Sequence, residues 1–304
     1  MVMTSEQRVE ASELAGKGRS PWADARRRFF RNKAALMGLV ILGFVVAFAL
    51  FGNYLAQWSN EELDYNVMGQ IVELGGPSIE SGHYFGTDDL GRDLFARTVQ
   101  GTQISLAVGL VGAFIACVVG TLYGAVAGYF GGRTDSIMMR LVDIFMAVPY
   151  MFVLILLLVM YGRSITILFA GVGLISWMEM ARIVRGQTLT IKGREFVEAA
   201  RATGVSAPVI ILRHIVPNLL GVIAVYATLL VPLMILTESF ISFLGLGIQE
   251  PLTSLGALIS EGAGTIAYGT TWQLGFPLLF FCLTLFGLFF IGDGLRDALD
   301  PKDR

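Results

Sequence analysis

The chain has 304 residues, 55% of them hydrophobic and only 15% charged, with a formal net charge of −2 and a mean hydropathy of +0.67. A soluble domain carries about 25% charged residues and a nucleic-acid binder usually shows a basic face. The composition therefore excludes a disordered chain, an ordinary soluble enzyme and a nucleic-acid module. Two cysteines, Cys117 and Cys282, sit inside apolar runs, where a thiol acts as a small apolar side chain. They form no disulfide framework. An all-α polytopic membrane protein is the reading that remains.

Residues 1–33 form a polar N-terminal segment. Ser20 followed by Pro21 is a helix start, a cap and then proline in the first turn. Trp22, Ala25, Phe29 and Phe30 fall on one side of that helix, and Asp24, Arg27, Arg28 and Arg31 on the other. Such a helix lies in the membrane interface. The first apolar run, 34–56, is too long for the apolar region of a cleavable signal peptide and has more than thirty residues before it. The remaining divisions are an extracytoplasmic loop at 57–103, a transmembrane core at 104–291 with a cytoplasmic loop at 184–214, and a tail at 292–304.

Six stretches approach the ~20 residues needed to cross the hydrocarbon layer. They lie near Ala34–Ala56, Ile104–Phe130, Ser136–Tyr161, Ser164–Ile183, Ile215–Thr237 and Leu274–Ile291. In the second, Gly112, Ala116, Gly120, Gly124 and Gly128 recur every four residues, a ladder that lets another helix come close. Nineteen of the twenty-two Lys and Arg lie in the N-terminal segment, the even-numbered loops and the C-terminal tail. The other side has only Arg92, Arg97 and Arg163. The positive-inside rule then places both termini in the cytoplasm. It also turns the acidic segment 59–103 outward.

Catalytic patterns are missing. Gly16-Lys17 is followed by Gly18, not by the Ser or Thr of a P-loop. Gly245-Leu246-Gly247 has Glu250 in place of the third glycine of a dinucleotide fingerprint. His83 and His214 fall on opposite sides of the membrane and cannot share a metal. Acids near span ends remain: Asp143, Glu179, Glu238 and Asp293. Arg140, Arg182 and Arg296 stand three residues from Asp143, Glu179 and Asp293, at helical pairing distance. Glu238 has no nearby base, and it is the best candidate of the four for lining an aqueous pathway. Two rival readings remain. An aspartyl dyad of Asp143 and Asp293 would suit an intramembrane protease, but Phe290 replaces the first glycine of that motif. A proton-coupled carrier would show a buried acid and broken spans, neither of which is clear in the sequence.

The cytoplasmic loop holds the strongest signal. Glu195 to Thr203 contains good helix formers between Gly193 and Gly204, with Phe196, Ala199, Ala200 and Thr203 on one face. Pro208 suits the first turn of a following helix. Glu198-Ala-Ala-Arg-Ala-Thr-Gly204, with Pro217 thirteen residues on, resembles the EAA loop of ABC importer permeases. His214 and Val216 stand where the general pattern prefers Ile and Leu. GHYFGTDDLGRD at 82–93, SFLGLG at 242–247 and GDGLRDALDPKDR at 292–304 are similar to the C-type permeases of bacterial peptide and nickel importers. RSPWADARRRFF at 19–30 and EMARIVRGQ at 179–187 point to the oligopeptide branch. Leu255 replaces a tryptophan usual in the family.

The resemblance implies a type I ABC importer permease fold and half of a translocation pathway for oligopeptides, with dipeptide or nickel import as alternatives. It implies a homologous second permease and an extracytoplasmic peptide-binding protein. Two ATPase subunits would hold ATP and Mg2+, leaving this chain without a cofactor and without a catalytic site. Glu198, Ala199, Ala200, Gly204 and Pro217 would couple it to those ATPases. The expected location is the bacterial inner membrane.

Overall fold

The computed structural model describes residues 21–299; Ser20 and the final residues of the expected tail lie outside them. Helix α1, Pro21–Phe29, starts at the predicted proline, buries Ala25 and leaves Arg26 and Arg27 exposed. It packs on the last helix of the chain. The first span is α2, Lys33–Leu55. Asn32 caps it, its Oδ1 accepting from the amides of Ala34 and Ala35 at 3.0 and 3.2 Å, which satisfies two of the orphan donors at a helix start. A single short turn, α3, Ile71–Leu74, interrupts the outer loop.

Helix α4, Leu94–Phe130, starts ten residues before the expected Ile104. The Asp93 carboxylate accepts from the Ala96 amide at 2.7 Å, and the Thr98 and Thr102 hydroxyls donate to carbonyls one turn back. These local bonds let a polar, buried stretch stay helical above the apolar segment.

The third expected span is broken. It divides into α5, Gly132–Ala147, and α6, Tyr150–Tyr161, bent by 76°. Pro149 has no amide hydrogen, and its ring pushes the preceding residue out of helical geometry. Val148 is accordingly extended, at φ −85° and ψ 126°. The fourth span, α7, continues past Ile183 to cover Ile165–Ile191. Among the described residues, five long apolar helices and the bent pair make up to six spans.

Beyond α7 come the short α8, Glu195–Ala202, and α9, Ala207–Ile210. A π-helical turn over Ile211–Ile215 leads into α10, Val216–Phe243. Pro217 explains the wide turn. It cannot donate, and a regular helix would press its ring against the carbonyl four residues back. The outer helix α11, Leu255–Thr265, precedes α12, Thr271–Leu299, which remains helical through residues expected to be a tail.

The core is the parallel pair α4 and α7, brought together by the glycine ladder. A β-carbon on Gly120 would stand 2.5 Å from the Trp177 carbonyl, and one on Gly128 would stand 2.7 Å from Thr188 Cβ. Only glycine fits at that separation. At the end of the molecule opposite α8, Phe48, Phe85, Phe95, Phe276 and Phe280 stack or meet edge to face, fastening α2 and α12 to the start of α4.

Candidate functional site

The loop helix α8 ends in a Schellman motif. The Gly204 amide donates to Arg201 O at 3.1 Å and the Val205 amide to Ala200 O at 3.1 Å, with Gly204 at φ +79°. That left-handed value is the reason for a glycine there. Val197 and Ala200 point inward, 0% and 8% exposed, and join an apolar cluster with Ile210, Ile211 and Ile215. The predicted small face is therefore divided. Ala200 packs inside the protein, while Phe196, Glu198, Ala199, Thr203 and Gly204 are exposed. Arg201, which reads as part of a solvated face, stands over the Tyr129 ring at 5.3 Å and ties α8 to the end of α4. Exposed Pro217 and Asn218 lie nearby. A hollow of about 700 Å³ opens between Gly193, Arg194, Glu195, Phe196 and Asn218.

Cations of α7 and of its C-terminal cap fasten this end of the molecule. Arg185 makes two bonds to Asp135 at 2.9 and 2.5 Å, and Lys192 Nζ donates to Gly128 O at 2.9 Å. Arg182 reaches Asp143 on α5 at 2.5 Å. The three local pairs expected from spacing, Arg140 with Asp143, Arg182 with Glu179 and Arg296 with Asp293, are absent among the described residues. A pair on one helix surface contributes only about 0.2–0.5 kcal/mol, so a cross-helix partner displaces it readily. With Asp143 taken by Arg182, the protease dyad loses one of its acids.

Glu238 is fully buried. Ser242 donates to it at 2.6 Å, Ser239 at 3.2 Å and Ser105 at 3.4 Å. Ser105 in turn accepts from the Leu255 amide at 3.2 Å. The carboxylate links α4, α10 and α11. Leu255, at the family's tryptophan position, is fully buried. The buried acid and broken span named for a carrier are thus both present, although neither was clear in the sequence.

The loop at 57–103 is a second polar constellation, which the sequence identifies only as acidic. His83 is buried between Asp93 at 2.9 Å and Asp64 at 3.4 Å, beneath the Trp58 ring at 4.7 Å. Burial pulls its pKa down, but the two aspartates outweigh burial and hold it above the ordinary histidine value. Arg97, 3% exposed, binds Asp88 at 2.5 Å and Glu261 at 2.7 Å. Gln273 and Trp272 both donate to the Thr87 carbonyl. The GHYFGTDDLGRD stretch and the first turn of α12 therefore form one cap. A further cavity of about 600 Å³ lies elsewhere, between the break of α5 and α6, α7 and α10.

Residues 120–304 match the family described as binding-protein-dependent transport system inner membrane component. The chain belongs to that family. Residues 20–71 match the N-terminal TM domain of oligopeptide transport permease C. The permease is 53% identical to the oligopeptide transport system permease protein OppC of Haemophilus influenzae, over 98% of this chain and 93% of that one. It is also 53% identical to the Escherichia coli K12 protein of the same name, over 97% and 95%. Identity to the dipeptide transport system permease protein DppC of Bacillus subtilis is 43%, over 100% and 92%. A subunit of the MetNI methionine ABC transporter shares the fold with TM-score 0.54 and 19% identity, over 66% of this chain and 95% of that one. This permease is a multi-pass transport component with an ABC transporter permease fold. ATP hydrolysis in its family belongs to separate subunits.

Proposed function

We propose that this chain forms half of the oligopeptide pathway of an ATP-driven importer in the bacterial inner membrane, with both termini cytoplasmic. The exposed side of α8 carries the reading. It is a short helix anchored from behind by Val197 and Ala200 that presents Phe196, Glu198 and Ala199 outward. The near full-length identity to oligopeptide permeases supports the cargo. In this reading a homologous OppB-type permease completes the pathway, and an OppA-type protein delivers peptide from outside. OppD- and OppF-type subunits hold ATP and Mg2+ and receive α8 in a groove. When those subunits close, they displace α8. Its packing against the π-helical turn passes the motion to α10, and the Gly193–Arg194 link passes it to α7.

Co-expression of a tagged chain with its neighbours tests this. Two ATPases and a second permease should co-purify, and proteoliposomes of the complex with loaded binding protein should accumulate tri- to pentapeptides on ATP addition. Uptake confined to dipeptides would favour the dipeptide alternative, and no uptake of any peptide would overturn the reading. A single cysteine at Ile79, 84% exposed, should label from outside the cell. One at Glu198 should not.

A further inference from the structure

We propose that Glu179 is the cargo-selecting residue of the pathway and binds the terminal ammonium group of a peptide. The inference rests on the peptide-import reading. Glu179 lies near the middle of α7, not at its cytoplasmic end as the shorter predicted span implied. It is exposed and lines the 600 Å³ cavity. It also lines a smaller hollow of about 190 Å³ with Met180, Ile183 and Tyr226, so its carboxylate stands at the junction of the two. The rest of the large cavity is apolar apart from Ser176, Thr237 and the Tyr150 hydroxyl, and no lysine, arginine or histidine lines it.

Glu179 has no ion-pair or hydrogen-bond partner among the described residues. Its expected partner, Arg182, is held by Asp143. An unpaired carboxylate at the depth of a span is costly, and such residues mark substrate or ion paths. The facing wall adds to the negative character. Phe145, Met146 and Val148 bring the C-terminal end of α5 to the cavity, where the last carbonyls of a helix carry partial negative charge. Broken helices place such ends at the ligand in other membrane carriers.

A cavity with one carboxylate, a helix carbonyl end and apolar walls complements a cation on an otherwise apolar body. A peptide carries such a cation at its amino end, where the α-amino group has a pKa of about 7.7–8.0. It is mostly protonated at neutral pH. The apolar walls make few side-chain-specific demands, so one charge recognises the feature common to all free peptides and leaves their sequence open.

The test uses the complete importer in proteoliposomes, with radiolabelled tri-alanine or its N-acetylated form loaded on the binding protein to equal occupancy. In Glu179→Gln, uptake of free tri-alanine per ATP hydrolysed should fall about tenfold, in the range of one charge-assisted hydrogen bond. Uptake of the acetylated peptide should stay at the parent's level, and ATPase stimulation by loaded binding protein should persist. Glu179→Asp should restore most of the loss. Unchanged uptake of free peptide in Glu179→Gln would overturn the proposal. So would an equal loss for both peptides, or a loss matched by failed pairing with the second permease, which would assign Glu179 to a subunit contact. Failure of the parent to import either peptide is a different result. It would remove the peptide-import reading itself.

Discussion

Ala199 and Ala200 are adjacent in the chain and face opposite ways, Ala200 into the cluster of Ile210, Ile211 and Ile215 and Ala199 into solvent. Bulk at the two positions should therefore fail differently. Ala199→Trp should insert, fold and pair with the second permease, yet lose ATPase retention and peptide uptake, because overfilling a close contact costs about 1–3 kcal/mol. Ala200→Trp should instead loosen α8 from its own chain, seen as faster proteolysis of the loop before any partner is added. Ala202, exposed, is the control position. If both variants keep parental uptake and loop resistance, neither half of this assignment stands.

Gly204 ends α8 at φ +79° with open space where a β-carbon would go. The cost of substitution there is conformational, about 1–2 kcal/mol for a side chain in the left-handed region. Gly204→Ala should raise amide exchange across 195–205, and Gly204→Asn should raise it less, since asparagine tolerates that region. Equal protection in all three proteins would argue against the Schellman end.

Arg97 is buried with Asp88 and half-exposed Glu261. Arg97→Met takes from Asp88 one of its two arginines, leaving Arg92 at 2.7 Å, and takes the cation from Glu261. A buried charge left wholly unpaired costs about 3–5 kcal/mol; Arg92 reduces that loss here, and the detergent-solubilised variant should still unfold at lower temperature. Asp88→Asn combined with Arg97→Met should recover part of that loss. A parental melting temperature for the single variant would show the pair to be energetically idle.

His83 makes the outer cap sensitive to pH. Its folded pKa is raised above an unfolded value of about 6.5. The contribution of the imidazolium is therefore fully present below about pH 6.5 and is lost as pH rises through the folded value. Thermal stability of the parent should decline across that interval, and His83→Gln should flatten the decline. The same pH slope in both proteins would place the sensitivity elsewhere.

Much of this protein was legible from local chemistry. Apolar run length and the distribution of Lys and Arg indicated the spans and an orientation, because insertion reads hydrophobicity and flanking charge over single segments. The bounds of α8 followed from Gly193, Gly204 and the helix formers between them, and the glycine ladder of α4 announced a close partner. What tertiary structure alone decided is the direction in which side chains point and what they meet. Arg182 leaves Glu179 for Asp143, Glu238 closes on three serines, and Ala200 turns inward while Ala199 stays outside. Pro149 was visible in the sequence, but whether it would kink a span or divide it depended on the packing around it. Caps, propensities and run lengths act within a turn or two. A side chain's partner is set by elements distant in the chain, and the cavity at Glu179 exists only where α5, α6, α7 and α10 meet.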